Sequence, residues 1–147
     1  MIPFTQIQIQ RGKDCKQALL SAGFTPAQAM LALAHINTET ANFTHIVVPN
    51  NYTGIQLTDA EMNDPNEDKS HRPPASEHGK PYKVFKDLTE WAVKYHAIVA
   101  RDNALTAVSP DQYAIALKKS HYMQAPLQDV VRNFQDGYLK AQMYFTT

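Results

Sequence analysis

Thr25-Pro26-Ala27-Gln28-Ala29-Met30-Leu31-Ala32-Leu33-Ala34-His35-Ile36-Asn37-Thr38-Glu39 carries its own start signal and no internal breaker. Thr25 supplies a capping hydroxyl, Pro26 suits the first helical position, and Gln28 reaches back to the Thr25 N–H. Ala29, Met30, Leu33 and Ile36 follow at helical spacing, so the stretch predicts a helix ending near Glu39. Upstream, Gly23 follows Lys16-Gln-Ala-Leu-Leu-Ser-Ala22 and closes an earlier helix in the left-handed conformation. Downstream, Asp87-Leu88-Thr89-Glu90 repeats the capping pattern. Leu88, Trp91, Ala92, Tyr95, Ile98 and Val99 then trace one apolar stripe. Ser109-Pro110-Asp111-Gln112 does the same before Tyr113, Ala116 and Leu117. A last helix starts near Pro126 and presents Leu127, Val130, Val131, Phe134 and Tyr138, with Gly137 counting against its far end.

Between these helical zones, residues from about 43 to 86 are rich in Pro, Asn, Asp and His. Ile46-Val47-Val48 reads as a short strand or a packed turn, Pro49-Asn50-Asn51 is turn chemistry, and His78-Gly79 can turn a hairpin into Lys80-Pro-Tyr-Lys-Val-Phe85. Helices enclosing one small irregular β lobe make an α+β protein, mainly α. At 147 residues and 16.5 kDa the chain has room for a single domain, residues 1–147.

Fourteen basic and 14 acidic residues cancel. The chain lacks the field of a nucleic-acid binder and any charge-driven attraction to an anionic membrane. No run approaches a membrane span. Cys15, the single cysteine, has no disulfide partner in the chain and reads as a half-buried thiol. The first ten residues lack a basic region followed by an apolar run, so the expectation is synthesis in the cytoplasm without a signal peptide.

Glu39 is the first candidate for chemistry. At the C-terminal end of a helix a carboxylate meets the negative end of the dipole, and burial beside Phe43 would add to that; both favour the protonated acid that general acid catalysis needs. Asp59, Glu61, Asp64, Glu67, Asp68 and Glu77 supply carboxylates in the polar region, and composition does not choose among them. His35 and Glu39 share a helix face, and His45 lies nearby. The zincin order is absent, and neither a metal nor an organic cofactor is expected. Tyr52, Tyr82, Tyr113 and Tyr122 fall at element edges, where rings stack on sugars or anchor a lobe.

The order of these motifs resembles the flagellar-muramidase type of peptidoglycan glucosaminidase (glycoside hydrolase family seventy-three) in the lysozyme-like superfamily. The matching segments are Ala32-Leu-Ala-His-Ile-Asn-Thr-Glu39-Thr40-Ala41, then Asn50-Asn51-Tyr52-Thr53-Gly54-Ile55, then Tyr82-Lys83-Val84-Phe85, and finally Tyr113-Ala-Ile-Ala116-Leu117-Lys-Lys-Ser120-His121-Tyr122. They span about Gln28 to Tyr138. The chain departs from the family pattern at Ala41-Asn42-Phe43, where a Gly-Trp pair often stands, and at Thr53 and His121. The resemblance implies a lysozyme-like helical domain that hydrolyses peptidoglycan glycan strands. It implies Glu39 as the catalytic acid and a lobe carboxylate, Glu77 or else Asp68, as its partner. Tyr52, Tyr113, Asn51 and Tyr122 would bind substrate. Two rivals are a non-catalytic glycan-binding or virion structural module and a lytic transglycosylase; a third is an unrelated helical interaction protein. A cell-wall substrate and no signal peptide together imply delivery by lysis, by injection through a secretion machine, or within a phage particle.

Overall fold

The computed structural model describes residues 2–46, 48–73, 79–119 and 125–146. Helix α1 spans Gln6–Ser21, α2 Pro26–Glu39, α3 Asp59–Met62, α4 Leu88–Arg101, α5 Pro110–Lys119 and α6 Leu127–Phe145, with a 3₁₀ turn at Ala104–Thr106. No helix among the described residues is long and apolar enough to cross a membrane.

The capping chemistry places the starts. Thr25 accepts from the Gln28 N–H while the Gln28 side chain accepts from the Thr25 N–H, with Pro26 in the first turn. Thr5 and Gln8 make the same reciprocal pair, which starts α1 at Gln6. Asp87 caps α4 through the Glu90 N–H. At the end of α1, Gly23 takes φ +110°, and the Gly23 and Phe24 N–H groups bond back to Leu20 and Leu19. That is the two-bond C-terminal motif glycine permits.

Helix α2 is the centre of the molecule. Every residue from Leu31 to Asn37 is buried, so that middle stretch has no solvent face. Its alanines let neighbours approach closely: α6 packs along it most extensively, with α1 and α5 on other sides. At the crossing with α6 a Cβ on Gly137 would lie 2.5 Å from the Ala34 carbonyl oxygen. Gly137 is therefore where α6 meets α2, not where α6 ends, and the helix continues eight residues to Phe145. Trp91, Tyr95, Phe24, Phe43, Phe134 and Phe145 fill the core around α2. Cys15 is fully buried rather than half-buried, and burial pushes its thiol well above the usual range.

The mainly helical architecture holds, but the described part of residues 43–86 forms no strand ladder. Two isolated antiparallel bridges, Val48–Asn51 and Gln56–Tyr82, stand in place of a ladder among the described residues, with a further backbone bond from the Tyr82 N–H to the His71 carbonyl. Pro49, Pro65, Pro73 and Pro81 interrupt any ladder. A side chain takes over the role of a partner strand: buried Asn51 donates from Nδ2 to the Ile55 and Lys83 carbonyls, each at 2.8 Å, and accepts from the Ile55 N–H. Lys83 lies between Glu61 and Glu67 and clamps the rest of the region. Burial disfavours its charge, but the two carboxylates outweigh that and hold the ammonium above its ordinary pKa. Burial would likewise raise Glu61; Lys83 and the Thr58 cap outweigh it and hold Glu61 below its ordinary value.

Candidate functional site

The last turn of α2 delivers Glu39 to the surface, and the backbone then makes an unusual move. Ala41, Asn42 and Phe43 take φ of +47°, +60° and +66°, three successive left-handed residues with no glycine among them. Each costs about 1–2 kcal/mol. The turn persists because its polar groups are caught from several directions. The Asn42 N–H bonds the Asn37 carbonyl, and the Thr40 hydroxyl accepts from the Phe43 N–H at 2.8 Å. From α1, Gln8 and Arg11 donate to the Asn42 and Phe43 carbonyls at 2.9 and 2.7 Å. Phe43, fully buried, anchors the apolar side. The result folds the chain back sharply, leaving the Glu39 carboxyl facing the irregular region.

There it lines a cleft of about 200 Å³ with His45, Val48, Asn51, Tyr52, Gly54 and Tyr82. Glu39 is the one carboxylate among those lining residues. Its side chain is 28% exposed, and Oε1 lies 3.2 Å from Nε2 of His35, one turn back and fully buried. A second, shallower depression shares Tyr52 and is lined by Arg11, Ile46, Pro49 and Asn50. Tyr52 thus forms the ridge between the two. Its ring packs edge-on against Phe43 and Trp91, and its phenol is pushed up to about 12, chiefly by burial. The Trp91 indole N–H donates to buried Thr53 at 3.0 Å, tying the Tyr52 loop to α4.

Of the residues singled out from the sequence, Glu39, Asn51 and Tyr52 come together in this cleft. Asn51 lines it with an amide whose two N–H groups go to the Ile55 and Lys83 carbonyls, so it also holds the wall. Tyr113 does not line the cleft. It is 1% exposed inside the core, where its hydroxyl meets Tyr95 at 2.6 Å, and burial raises its phenol far above the ordinary value. Its helix turns Tyr113, Ala114 and Leu117 inward together. Asp68 is outside the cleft lining, exposed in a local turn. There the Ser70 hydroxyl and N–H hold it below the usual carboxylate range. Glu77 and Tyr122 lie outside the described residues, as does His78 of the expected hairpin. His35 and His45 make no metal cluster with Glu39, and no such group occurs among the described residues.

Tyr82, read from the sequence as an edge tyrosine, lines the cleft with His45, Val48 and Gly54, and none of these four is in the binding set that the resemblance implies. Its signal was present in Tyr82-Lys83-Val84-Phe85, where alternation puts Tyr82 and Lys83 on opposite sides of an extended segment. His35 and Tyr95 read as helix-surface contact and core packing from spacing alone. In the structure they stand directly behind the acid, with His35 Nδ1 2.8 Å from the Tyr95 hydroxyl. No protein-family model, no curated protein and no solved structure matches the chain.

Proposed function

We propose that the domain cleaves glycosidic bonds in the glycan strands of peptidoglycan, with Glu39 as the general acid. The observation that carries this reading is one ionisable carboxyl set in a cleft between two tyrosines and backed by a buried histidine. Tyr52 and Tyr82 offer the flat, hydrogen-bonding walls that sugar rings stack on. Glu39 would protonate the glycosidic oxygen as the bond to the leaving sugar breaks, and the cleft would hold the ring in the distorted geometry of the oxocarbenium-like transition state. A neutral chain has no net positive charge to draw it to anionic cell wall, which favours delivery within a larger assembly such as a phage particle or an injection machine.

The lytic transglycosylase reading has its own support. Among the described residues the cleft offers a single carboxylate, and that chemistry needs only one, closing the sugar's own hydroxyl onto the anomeric carbon. Hydrolysis instead adds water across the bond. Mass spectrometry of digested peptidoglycan separates the two: hydrolysis yields reducing ends, transglycosylation yields anhydro ends one water lighter. Glu39→Gln is expected to fold normally and to lose about 10²–10⁴ in rate on purified cell walls. Wild-type clearing by that variant would refute catalysis by Glu39. Retained binding to glycan strands by a wild-type protein that makes no new ends would favour a non-catalytic glycan-binding module.

A further inference from the structure

Across Tyr52 from the acid, the second depression measures about 320 Å³, and Arg11 is the one charged residue among those that line it. Arg11 is half-buried on α1, and its Nη1 donates to the Phe43 carbonyl at 2.7 Å. Among the described residues no carboxylate forms an ion pair with it. Asp14, one turn along the same helix, is bonded by the Gln10 side chain at 2.8 Å instead. We propose that this depression is a carboxylate subsite, in which Arg11 pairs with the acid group carried on a muramyl sugar while another sugar of the same strand lies in the cleft at Glu39. The proposal rests on the peptidoglycan reading and names the feature of the substrate that the site selects.

The guanidinium is already set for that task. Its bond to Phe43 uses one Nη1–H and leaves the edge made by Nε–H and Nη2–H whole. That edge matches the two oxygens of a carboxylate and bonds them in parallel. The same bond to Phe43 fixes the fork before any ligand arrives, which cuts the ordering cost of binding. Phe43 belongs to the left-handed turn that follows Glu39, so one piece of backbone holds both the cation and the acid. Tyr52 stands between them and lines both hollows. Burial foremost pushes its phenol up, and the Arg11 charge works against that, as a cation close to the hydroxyl must.

A ligand lying across Tyr52 therefore meets a carboxyl on one side and a guanidinium on the other. A polymer of N-acetylglucosamine alone offers Arg11 only hydroxyl and acetamido groups. A peptidoglycan strand adds an acid at every second sugar: the lactyl carboxylate itself where the stem peptide is absent, or the carboxylates of the stem where it is present. Neither takes part in breaking the glycosidic bond. Arg11 is thus a binding residue whose contact is equally strong in the ground state and the transition state, and its loss should raise KM and leave kcat.

The test is titration calorimetry on the whole 147-residue chain carrying Glu39→Gln, which keeps strands intact. Three tetrasaccharides are compared: an N-acetylglucosamine tetramer, a stem-free alternating glucosaminyl–muramyl strand, and that strand with stem peptides. A carboxylated strand should bind about tenfold tighter than the neutral tetramer. Tight binding of the stem-free strand assigns the lactyl carboxylate, and tight binding of the stem-bearing strand alone assigns the stem. Adding Arg11→Gln should close the gap and leave the neutral tetramer's affinity as it was. Equal affinity for all three strands, or a gap that survives Arg11→Gln, overturns the subsite. If Arg11→Gln unfolds by losing the Phe43 bond, the arginine Nε–H NMR signals of the otherwise wild-type chain decide, with Arg11 assigned by replacing Arg72, Arg101 and Arg132 with lysine. N-acetylmuramic acid should move the Arg11 signal and N-acetylglucosamine should not; no difference overturns the subsite. Cell-wall cleavage without any preference for carboxylated strands refutes the subsite and leaves the glycosidase. An Arg11-dependent preference without cleavage refutes catalysis and leaves the subsite, and neither binding nor cleavage refutes both.

Discussion

Replacing Gly137 by alanine sets two physical effects against each other, and the structure decides the sign. By helix propensity alone, alanine in the middle of α6 should stabilise by about 0.8–1.0 kcal/mol. The added methyl, however, would sit 2.5 Å from the Ala34 carbonyl oxygen and 3.2 Å from its carbonyl carbon. Ordinary contact for such atoms is about 3.5 Å, and the obstacle is α2 backbone, not a side chain that can swing away. The helices must part by most of an ångström. Overpacking of this kind costs about 1–3 kcal/mol. Separation also stretches the 2.9 Å bond from Asn37 Nδ2 to the Gly137 carbonyl, which contributes about 1 kcal/mol. The net expectation is a loss of about 1–3 kcal/mol. At this chain length 1 kcal/mol moves Tm by about 3–4 °C, so the midpoint should fall by about 3–12 °C. Thermal unfolding followed by far-UV circular dichroism, with urea titration as a check, measures it. A Tm equal to or above wild type would refute the close crossing of α2 and α6.

Three other expectations follow from the packing. Lys83→Met leaves Glu61 and Glu67 facing each other without their cation. It should cost about 1–3 kcal/mol in urea unfolding, because the paired side chains are only 14–23% exposed. It should also flatten the wild type's loss of stability as pH falls below about 4.5 through the lowered Glu61 pKa. The raised Tyr52 and Tyr113 phenols act at the other end of the scale. The unfolded chain ionises near pH 10 while the folded one still holds its protons, so stability should be intact below pH 10 and fall as pH rises towards 12. Urea midpoints from pH 8 to 11.5 should show that slope, and Tyr52→Phe should reduce it. Cys15 should resist thiol reagents in the folded protein and react at once in urea; rapid native labelling would contradict its burial.

The helices were legible because their signals are local. Thr25-Pro26-x-Gln28 and Gly23 act within one turn, and both sit where the sequence puts them. Thr5-x-x-Gln8 and Thr58-x-x-Glu61 carry the same signal and start α1 and α3. Neither is followed by a strong apolar stripe, because α1 is nearly polar on its outer face and α3 lies in a polar stretch. Gly137 misled because propensity is a property of an isolated helix, whereas its cost here is set by a helix more than a hundred residues away in sequence. The absence of a ladder among the described residues of 43–86 has a related reason. Nothing in an asparagine's identity says that Asn51 will stand in for a strand. At the site, Glu39 and Tyr52 were readable as residues, but not the arrangement that joins them. Tyr113 looked like an edge aromatic by its place beside a cap, and only the packing of α5 against α6 turns it inward, towards Tyr95.

Phe145 belongs to the last described turn of the chain, yet it reaches the turn that carries Glu39. Its ring fills the space over Gly12 and meets Phe43 edge-on at 5.7 Å, while Lys16 holds its carbonyl and Tyr144 stacks on Phe4. The molecule is thus buckled end to end, and the buckle bears on the acid. Fraying of the last turn of α6 would therefore uncover one side of Phe43, in the turn that follows Glu39.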